Sequence, residues 1–299
     1  MDLKELYPAI EAASFALSPI VEPVVERMCS WFGLPRQEVL ILTAVPTFEP
    51  APVSVSLLKI RSPYTSPDRL NMILEHLAKN GMLQTAGGDG YRLTEQGLET
   101  IKEFMRALHT VMSGIQPQPV TDMMDLASRL KDLSDACLEA PEPPGTWCIR
   151  HARRLDPGRK APMMARIDQF FDELRAYRDD AHLAAWHGYE DNGHAWDILT
   201  YLWVEKQAVL GIINQALSRR GNSMDETLTA VSGLIHKGWV SREGDWLKIT
   251  PFGREIRKTA EATTDRYFLA PMRRFDELEL ERTRRLIDDY RRGISNLTR

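Results

Sequence analysis

The side chains best suited to binding chemistry lie between positions 177 and 203, where histidines and large aromatic residues are concentrated. Three of the seven histidines and three of the seven tryptophans fall in this segment. Large aromatic side chains beside a few polar groups are typical of a pocket for a small apolar molecule. We therefore expect a ligand site here, the alternative being that these aromatics form core between two halves of the chain. The candidate ligand-binding residues are Tyr177, His182, Trp186, His187, Trp196, Tyr201 and Trp203.

Metal binding and catalysis have weaker support. His187, Glu190 and His194 offer nitrogen and oxygen ligands, but their spacing matches no established zinc motif. Gly188 and Gly193 also interrupt any continuous helix that would align these side chains. The chain has no H-E-x-x-H, G-x-S-x-G, Walker A or G-x-G-x-x-G sequence. We expect no metal, no cofactor and no enzymatic activity.

The composition is that of an ordinary globular protein of about two domains. The chain has 299 residues, with 38 Lys and Arg against 42 Asp and Glu, a net charge of −4. No run approaches the ~20 apolar residues of a membrane span, and no secretion signal is evident. Three cysteines without a C-x-x-C pair fit a reducing cytoplasm. Any nucleic-acid binding must therefore depend on a local basic surface.

The elements that would position a binding surface have clear start and stop residues. Ser66-Pro67-Asp68 is a favourable helix start, and Lys79-Asn80-Gly81 is a typical helix end. Two short strands then flank the glycine-rich turn at 86–90. A helix is expected from Glu95 to about Met112. The order helix, hairpin, helix recurs after Ser223.

This recurrence extends to identical residues at an almost constant offset. Ile41-Leu42-Thr43 recurs as Ile198-Leu199-Thr200, and Thr94-x-x-Gly97 recurs as Thr250-x-x-Gly253. Such self-similarity predicts a duplicated unit. The alternative is that two unrelated units share the simple order of a helix followed by a hairpin. We expect an N-terminal helix with a first unit at 1–140, a proline-rich linker at 141–168, and a second unit at 169–299. Arg150, Arg153, Arg154, Arg159 and Lys160 would be solvated cations of that linker, the alternative being that they add contacts to a nucleic-acid backbone.

The segments from Leu77 to Gly97 and from Leu234 to Gly253 resemble the MarR-like and related winged-helix regulators. In those families a helix ending in "L-x-x-x-G" leads into a β-hairpin wing and then "L-T-x-x-G". The resemblance implies a mainly α fold with small β-hairpin wings. Because both units lie in one chain, it implies a tandem winged helix-turn-helix pseudo-dimer.

The resemblance also implies which residues would contact DNA. The helices at 66–81 and 223–238 would enter the major groove about one DNA turn (~34 Å) apart, and the hairpins would touch the backbone. Acidic residues at the first wing tip and at Asp225-Glu226 oppose this role. The candidate contacts are Lys59, Arg61, Arg69, Asn71, Lys79 and Arg92 in the first unit, and Arg219, Arg220, Asn222, Thr227, Thr229, Arg242 and Lys248 in the second.

The sequence therefore predicts a cytoplasmic transcription regulator that binds double-stranded DNA and responds to a small aromatic or apolar effector bound between its halves. It would be a monomer with internal pseudo-symmetry or a homodimer, with no membrane association. The alternative is a tandem winged-helix interaction scaffold that does not bind DNA.

Overall fold

Residues 3–298, which the computed structural model describes, form α-helices joined by short loops and by two small antiparallel sheets. The predicted fold class, mainly α with small β-hairpins, is confirmed at this level. The N-terminal elements are α1 Leu6–Ala16, α2 Ser18–Phe32, α3 Arg36–Ala44, α4 Val55–Arg61, α5 Pro67–Lys79, β1 Leu83–Thr85, β2 Tyr91–Leu93, α6 Glu95–Ser113 and α7 Val120–Glu139. The C-terminal elements are α8 Trp147–Arg153, α9 Met163–Trp186, α10 Gly193–Glu205, β3 Gln207–Val209, α11 Leu210–Ala216, α12 Met224–His236, β4 Val240–Glu243, β5 Trp246–Ile249, α13 Pro251–Leu269 and α14 Glu277–Leu297.

Helix lengths repeat between the two halves. Helices α4 and α11 have 7 residues each, α5 and α12 have 13, and α6 and α13 have 19. A third strand accompanies the second hairpin, giving the order β3-β5-β4, with Ala208 opposite Leu247. In the first half the corresponding contact is a single bridge between Val53 and Tyr91. The sequence did not predict β3, which is only three residues long.

A threonine caps the helix that follows each hairpin. Thr94 Oγ1 donates to the Gly81 carbonyl (2.6 Å) and accepts from the Gly97 amide (3.0 Å). Thr250 Oγ1 makes the same pair of bonds in the second half, at 2.7 Å to the carbonyl and 3.0 Å from the Gly253 amide. Each cap satisfies an amide of the first helical turn and ties it to the end of the preceding helix.

The glycine of the T-x-x-G sequence is required by close backbone approach. A Cβ on Gly97 would lie 2.1 Å from the carbonyl oxygen of Met82, and one on Gly253 would lie 2.2 Å from that of Trp239. These distances are far inside van der Waals contact. The recurring motif therefore reflects the same packing of helix against hairpin in both halves.

Three apolar cores support this architecture. One lies among α3 to α6 and the first hairpin, and another lies among α10 to α13 and the second sheet. The third, here called the central core, is built by helices of both halves, chiefly α1, α7, α8, α9 and α14. Helix α9 has 24 residues, of which Phe171, Leu174 and Tyr177 are fully buried.

The segment predicted as a linker, 141–168, contains α8 and packs into the central core, where Cys148, Ile149 and Ala152 are fully buried. Asp180 of α9 accepts hydrogen bonds from the Cys148 and Ile149 amides at 2.8 and 3.0 Å. A carboxylate at this position compensates the positive end of α8. The segment is therefore attached to α9 by its backbone amides.

Two arginines of this segment, Arg153 and Arg154, also make hydrogen bonds to other parts of the fold. Arg153 donates to the fully buried Glu173 (2.9 Å) and to Asp135 (2.8 Å). Arg154 donates to the carbonyls of Thr47 and Glu49. Arg153 therefore differs from the solvated linker cation expected from sequence, because α8, which carries it, packs against α7 and α9. Arg150, Arg154, Arg159 and Lys160 are exposed.

Within residues 3–298, no single helix has both the length and the apolar character needed to cross a membrane; α1 and α2, bent by 47° relative to each other, meet such a criterion only as a pair.

We predict that Gly253→Ala destabilises the protein by about 2–3 kcal/mol, because the new methyl group would overlap the Trp239 carbonyl. Gly233→Ala is the matched control. Gly233 lies inside α12 with open space around its Cβ position, so alanine should stabilise by up to about 1 kcal/mol. Urea unfolding followed by circular dichroism measures both changes. An unchanged midpoint for Gly253→Ala would contradict this account.

Candidate nucleic-acid interface

The helices expected to contact DNA are α5 and α12, and each begins with a serine cap. Ser66 Oγ accepts from the Arg69 amide at 3.1 Å, and Pro67 occupies the first turn of α5, as predicted. Ser223 and Glu226 form a reciprocal capping box at the start of α12. Both helices bury one apolar side against their own half. The buried residues are Leu70, Ile73, Leu74 and Leu77 in α5, and Thr227, Ala230, Val231 and Leu234 in α12.

The loops before α5 and α12 are hydrogen-bonded to each other, and we call this contact the junction. The Ser66 amide donates to the Arg220 carbonyl (2.8 Å), and Ser66 Oγ donates to the Gly221 carbonyl (2.9 Å). Asn222 Nδ2 donates to the Tyr64 carbonyl at 3.0 Å. The junction thus joins the N-terminal ends of the two helices directly.

The junction is tightly packed as well as hydrogen-bonded. Gly221 has φ +75°, and a Cβ there would lie 2.6 Å from the Cβ of Arg69. The Arg220 guanidinium lies 5.0 Å from the ring centroid of Tyr64 and donates to Asp197 at 2.9 Å. Such a cation–π contact adds to the stability of the junction.

This geometry differs from the arrangement that the resemblance implies. Residues in the first turn of a recognition helix usually reach the base edges. Here the first turns of α5 and α12 meet at the junction instead of lying about one DNA turn (~34 Å) apart. The N-terminal ends of the two helices are therefore adjacent.

The exposed faces of the two helices are not basic. Asp68 and Glu75 are exposed on α5 beside Lys79, and α12 exposes Asp225 and Glu226 in its first turn. Carboxylates on these faces repel phosphate groups. Neither helix alone supplies the positive surface that backbone recognition requires.

Most of the predicted contacts in the first half make bonds within the protein. Lys59 Nζ donates to the Pro63 and Thr65 carbonyls, and burial lowers its pKa. Four more predicted contacts bond to other side chains of the protein. Arg61 pairs with Asp172 and Asp179 (3.4 and 3.8 Å), Arg69 with Gln37 (3.0 Å), Asn71 with Glu75 (2.7 Å) and Arg92 with Glu49 (2.9 Å). Lys79 is exposed at the end of α5.

The predicted contacts in the second half divide between the junction, the core and the surface. Arg220 and Asn222 belong to the junction. Thr227 is fully buried and bonded to His194 at 3.0 Å, so its hydroxyl is not on the surface. Arg219, Thr229 and Arg242 are exposed. Thr229 donates to the Asp225 carbonyl, and Arg242 donates to the Gly244 carbonyl. Lys248 is half-buried and pairs with Glu243.

A cleft of about 750 Å³ at the junction gathers cations from both halves, and we call it the arginine cleft. Arg36 and Arg69 line one side, and Arg219 and Arg220 line the other. Among the described residues that line it there is no Asp or Glu. The lining is therefore positive, although two of its arginines pair with carboxylates outside the lining, Arg36 with Glu22 and Arg220 with Asp197.

Arg36 was not among the predicted contacts. It is the first residue of α3, and its counterpart by repeat offset is Gly193. The comparison of the two halves therefore gave no indication of it. Its side chain is half exposed (53%).

The predicted ligand-binding aromatics are largely core. Trp186 and Trp196 are fully buried and stacked, with ring centroids 5.4 Å apart and planes at 11°. Tyr177 is also fully buried, and its hydroxyl donates to the Glu142 carbonyl at 2.6 Å. Tyr177 lies in the central core, which both halves build, as in the alternative that the sequence left open. Trp186 and Trp196 lie in the core of the second half.

The other members of that segment lie around this core. Half-buried His182 faces Thr264 at 3.4 Å, and burial with the nearby Arg257 lowers the pKa of His182 to about 4. Arg257 also lies over Trp203, at 4.9 Å from its ring centroid. Tyr201 is half-buried against the second core. His187 is exposed.

The residues weighed as metal ligands have other partners. Glu190 accepts from Lys237 at 3.0 Å, and His194 faces Thr227. Within 3–298 no group of three or more His, Cys, Asp or Glu side chains is placed to hold a metal ion.

Comparing the two serine caps tests the junction. Ser66→Ala should cost about 1 kcal/mol for the lost cap and about 1 kcal/mol more for the lost bond to Gly221. Ser223→Ala removes only a cap and should cost about 1 kcal/mol. Urea unfolding measures the difference. Equal losses would show that the Ser66 contact across the junction contributes no stability.

Comparison with known proteins concerns the C-terminal half. A helix-turn-helix family model matches residues 152–296, just under half of the chain, from the end of α8 through most of α14. No curated protein and no solved structure matches the chain. The match supports a helix-turn-helix domain in the C-terminal half and, in general terms, a DNA-binding regulator.

Proposed function

We propose that this protein is a DNA-binding transcription regulator with two winged-helix units in one polypeptide. The observation that carries the proposal is the helix-turn-helix match over 152–296, which includes α11, α12 and the second hairpin. The equal lengths of α5 and α12, and of α6 and α13, favour an equivalent unit in the first half. Duplication of a MarR-like unit accounts for this internal similarity.

In this proposal the arginine cleft supplies the main phosphate contacts. Duplex affinity depends chiefly on the neutralisation of phosphate groups. The cleft brings four arginines together in one lining. Lys79 and Arg242 would extend the contact to the end of α5 and to the second wing. The two halves contribute different side chains, so the preferred DNA site is asymmetric.

The remaining features of the proposal are regulatory and cellular. We expect a small effector to change DNA affinity by binding one arrangement of the two halves better than the other. We expect the protein to act in the cytoplasm as a monomer or a homodimer, without enzymatic activity. Light scattering during gel filtration measures the oligomeric state.

A second function, an interaction scaffold without DNA binding, is favoured by one observation. The exposed face of α12 combines Asp225 and Glu226 with the exposed apolar residues Leu228 and Ile235. Such a face is better suited to binding another protein than to binding the phosphate backbone of DNA. Under this alternative, Leu228→Glu releases a co-purifying partner, and alanine at Arg219 and Arg220 has no effect on nucleic-acid binding.

The DNA-binding proposal predicts a salt-dependent affinity for duplex DNA. Fluorescence anisotropy with a labelled random-sequence duplex should give a linear fall of log K with log salt concentration. Arg219→Ala and Arg36→Ala should each weaken binding and reduce the slope by about 1, because each removes one phosphate contact. Arg273→Ala is the control, since Arg273 is exposed near the central core, away from the cleft. The proposal fails if the wild-type protein does not bind, or if the two cleft variants behave like Arg273→Ala.

A further inference from the structure

Helix α12 carries large apolar side chains on its surface. Met224 is 41% exposed, Leu228 is 42% exposed and Ile235 is 37% exposed. Together with the buried Val231 they follow a spacing of four, three and four residues along the helix. Residues at this spacing lie along one side of an α-helix, where they can pack against a second helix. We call these four residues the α12 seam.

The fold of the unit does not require the exposed part of the seam. Helix α5 has the same length as α12 and also begins after a capping serine, so the two helices align residue by residue. At the three exposed seam positions α5 has residues that are smaller or polar: Pro67, Asn71 and Ala78. Both helices nevertheless bury their other apolar side against their own half. The apolar surface of α12 is therefore additional to what folding needs, and it indicates a contact with another molecule.

The charges at the ends of α12 determine which molecule fits the seam. Asp225 and Glu226 are exposed at the start of the helix, and His236 and Lys237 are exposed at its end. The carboxylates repel DNA phosphates, and they would also repel those of a second α12 that ran in the same direction. An antiparallel α12 instead places its basic end beside them. The dipoles of the two helices favour the same antiparallel arrangement.

The seam is complementary to itself in that arrangement. A spacing of four, three and four residues reads the same in both directions along the helix. When a two-fold axis passes midway between Leu228 and Val231, each of these residues therefore lies opposite the other in the second copy. Met224 lies opposite Ile235 of the second copy in the same register. Such self-complementarity is what a two-fold interface between identical chains requires.

From this arrangement we propose that two copies of this protein pair through antiparallel α12 helices, with the α12 seam as the interface. Pairing buries the three side chains that a single copy exposes and brings opposite charges together at both ends of the helix. A helix of 13 residues is only about 20 Å long. The interface is therefore smaller than that of a stable complex (roughly 800 Å² per partner), and the dimer dissociates in the micromolar range.

The dimer also changes the role of α12 in the proposed function. A helix that is paired with a second copy does not enter the major groove. No seam residue lines the arginine cleft, so each copy keeps its four arginines for phosphate contacts. This part rests on the proposed function, whereas dimer formation itself does not.

Sedimentation velocity of the full chain over a series of micromolar concentrations tests the proposal. The wild-type protein should shift from monomer towards dimer as its concentration rises. Leu228→Glu should weaken the dimer at least about tenfold, because it places two carboxylates in an apolar contact. Leu98→Glu is the matched control, since Leu98 is 40% exposed on α6, outside the seam, and this variant should dimerise like the wild type. A wild-type protein that stays monomeric, or equal dimerisation of the two variants, would overturn the proposal.

Disulfide cross-linking tests the register without Leu228→Glu. All chains carry Cys29→Ser, because Cys29 is half-buried whereas the other two native cysteines are buried. A mixture of Met224→Cys chains and Ile235→Cys chains should form a cross-linked pair, because these positions face each other across the seam. Either variant alone should not cross-link, because the same residue of the second copy lies about 16 Å away along the helix, beyond the ~7 Å Cα separation that a disulfide spans. Cross-linking of a single variant, or none in the mixture, would contradict the antiparallel register.

DNA binding separates this inference from the proposed function. If the wild-type protein dimerises through the seam but binds no duplex, the dimer assignment stands and the proposed function fails. If the protein binds the duplex but stays monomeric, the dimer assignment fails alone. A monomeric chain that co-purifies with a different protein, and loses it on Leu228→Glu, would also contradict the dimer, because that protein would then occupy the seam.

Discussion

The hydrogen bonds between the loop before α5 and the loop before α12 determine how the two halves form the arginine cleft. They fix Ser66 against Arg220 and Gly221, so the starts of two otherwise separate helices are held in contact. The arginine cleft exists because this contact brings Arg69 of one half beside Arg219 of the other. Rotation of one half relative to the other would open this cleft.

Several buried polar contacts lie at the central core. Glu173 is fully buried, yet it accepts from Arg153 at 2.9 Å and from Gln169 at 3.0 Å. Asp180 is buried and caps α8 through two amides. Buried carboxylates are tolerated only when they are paired and hydrogen-bonded, as both are here. These contacts fix the position of α8.

Local chemistry explains which parts of the structure the sequence predicted. The caps at Ser66, Ser223, Thr94 and Thr250 act within a few residues, so their types and spacing are sufficient to identify the helices that follow. The stacked Trp186 and Trp196 were recognised as a cluster, but sequence could not decide between core and pocket, because both uses need large aromatics. Helix α8 was missed, since a seven-residue helix after three prolines has too short a pattern, and its cap comes from Asp180 on another helix.

The junction itself was beyond sequence reasoning. It joins Tyr64 and Ser66 to residues more than 150 positions away through backbone carbonyls. Every residue has a backbone carbonyl, so the side-chain pattern of the sequence does not identify such contacts. The expectation of two helices one DNA turn apart came from separate polypeptides that pair symmetrically. The arginines of the arginine cleft come from three distant parts of the chain, so only the folded structure brings them together.

The central core has a consequence for how this molecule behaves on dilution. Helices from both ends of the chain, α1 and α14 among them, pack in one apolar interior with α7 and α9. A pair of separate subunits holding such an interface would dissociate at low concentration and lose its combined surface. Here the covalent chain sets the ratio of the two halves at one to one and keeps them together at any abundance. The surface that spans them is therefore present even when a cell holds only a few copies.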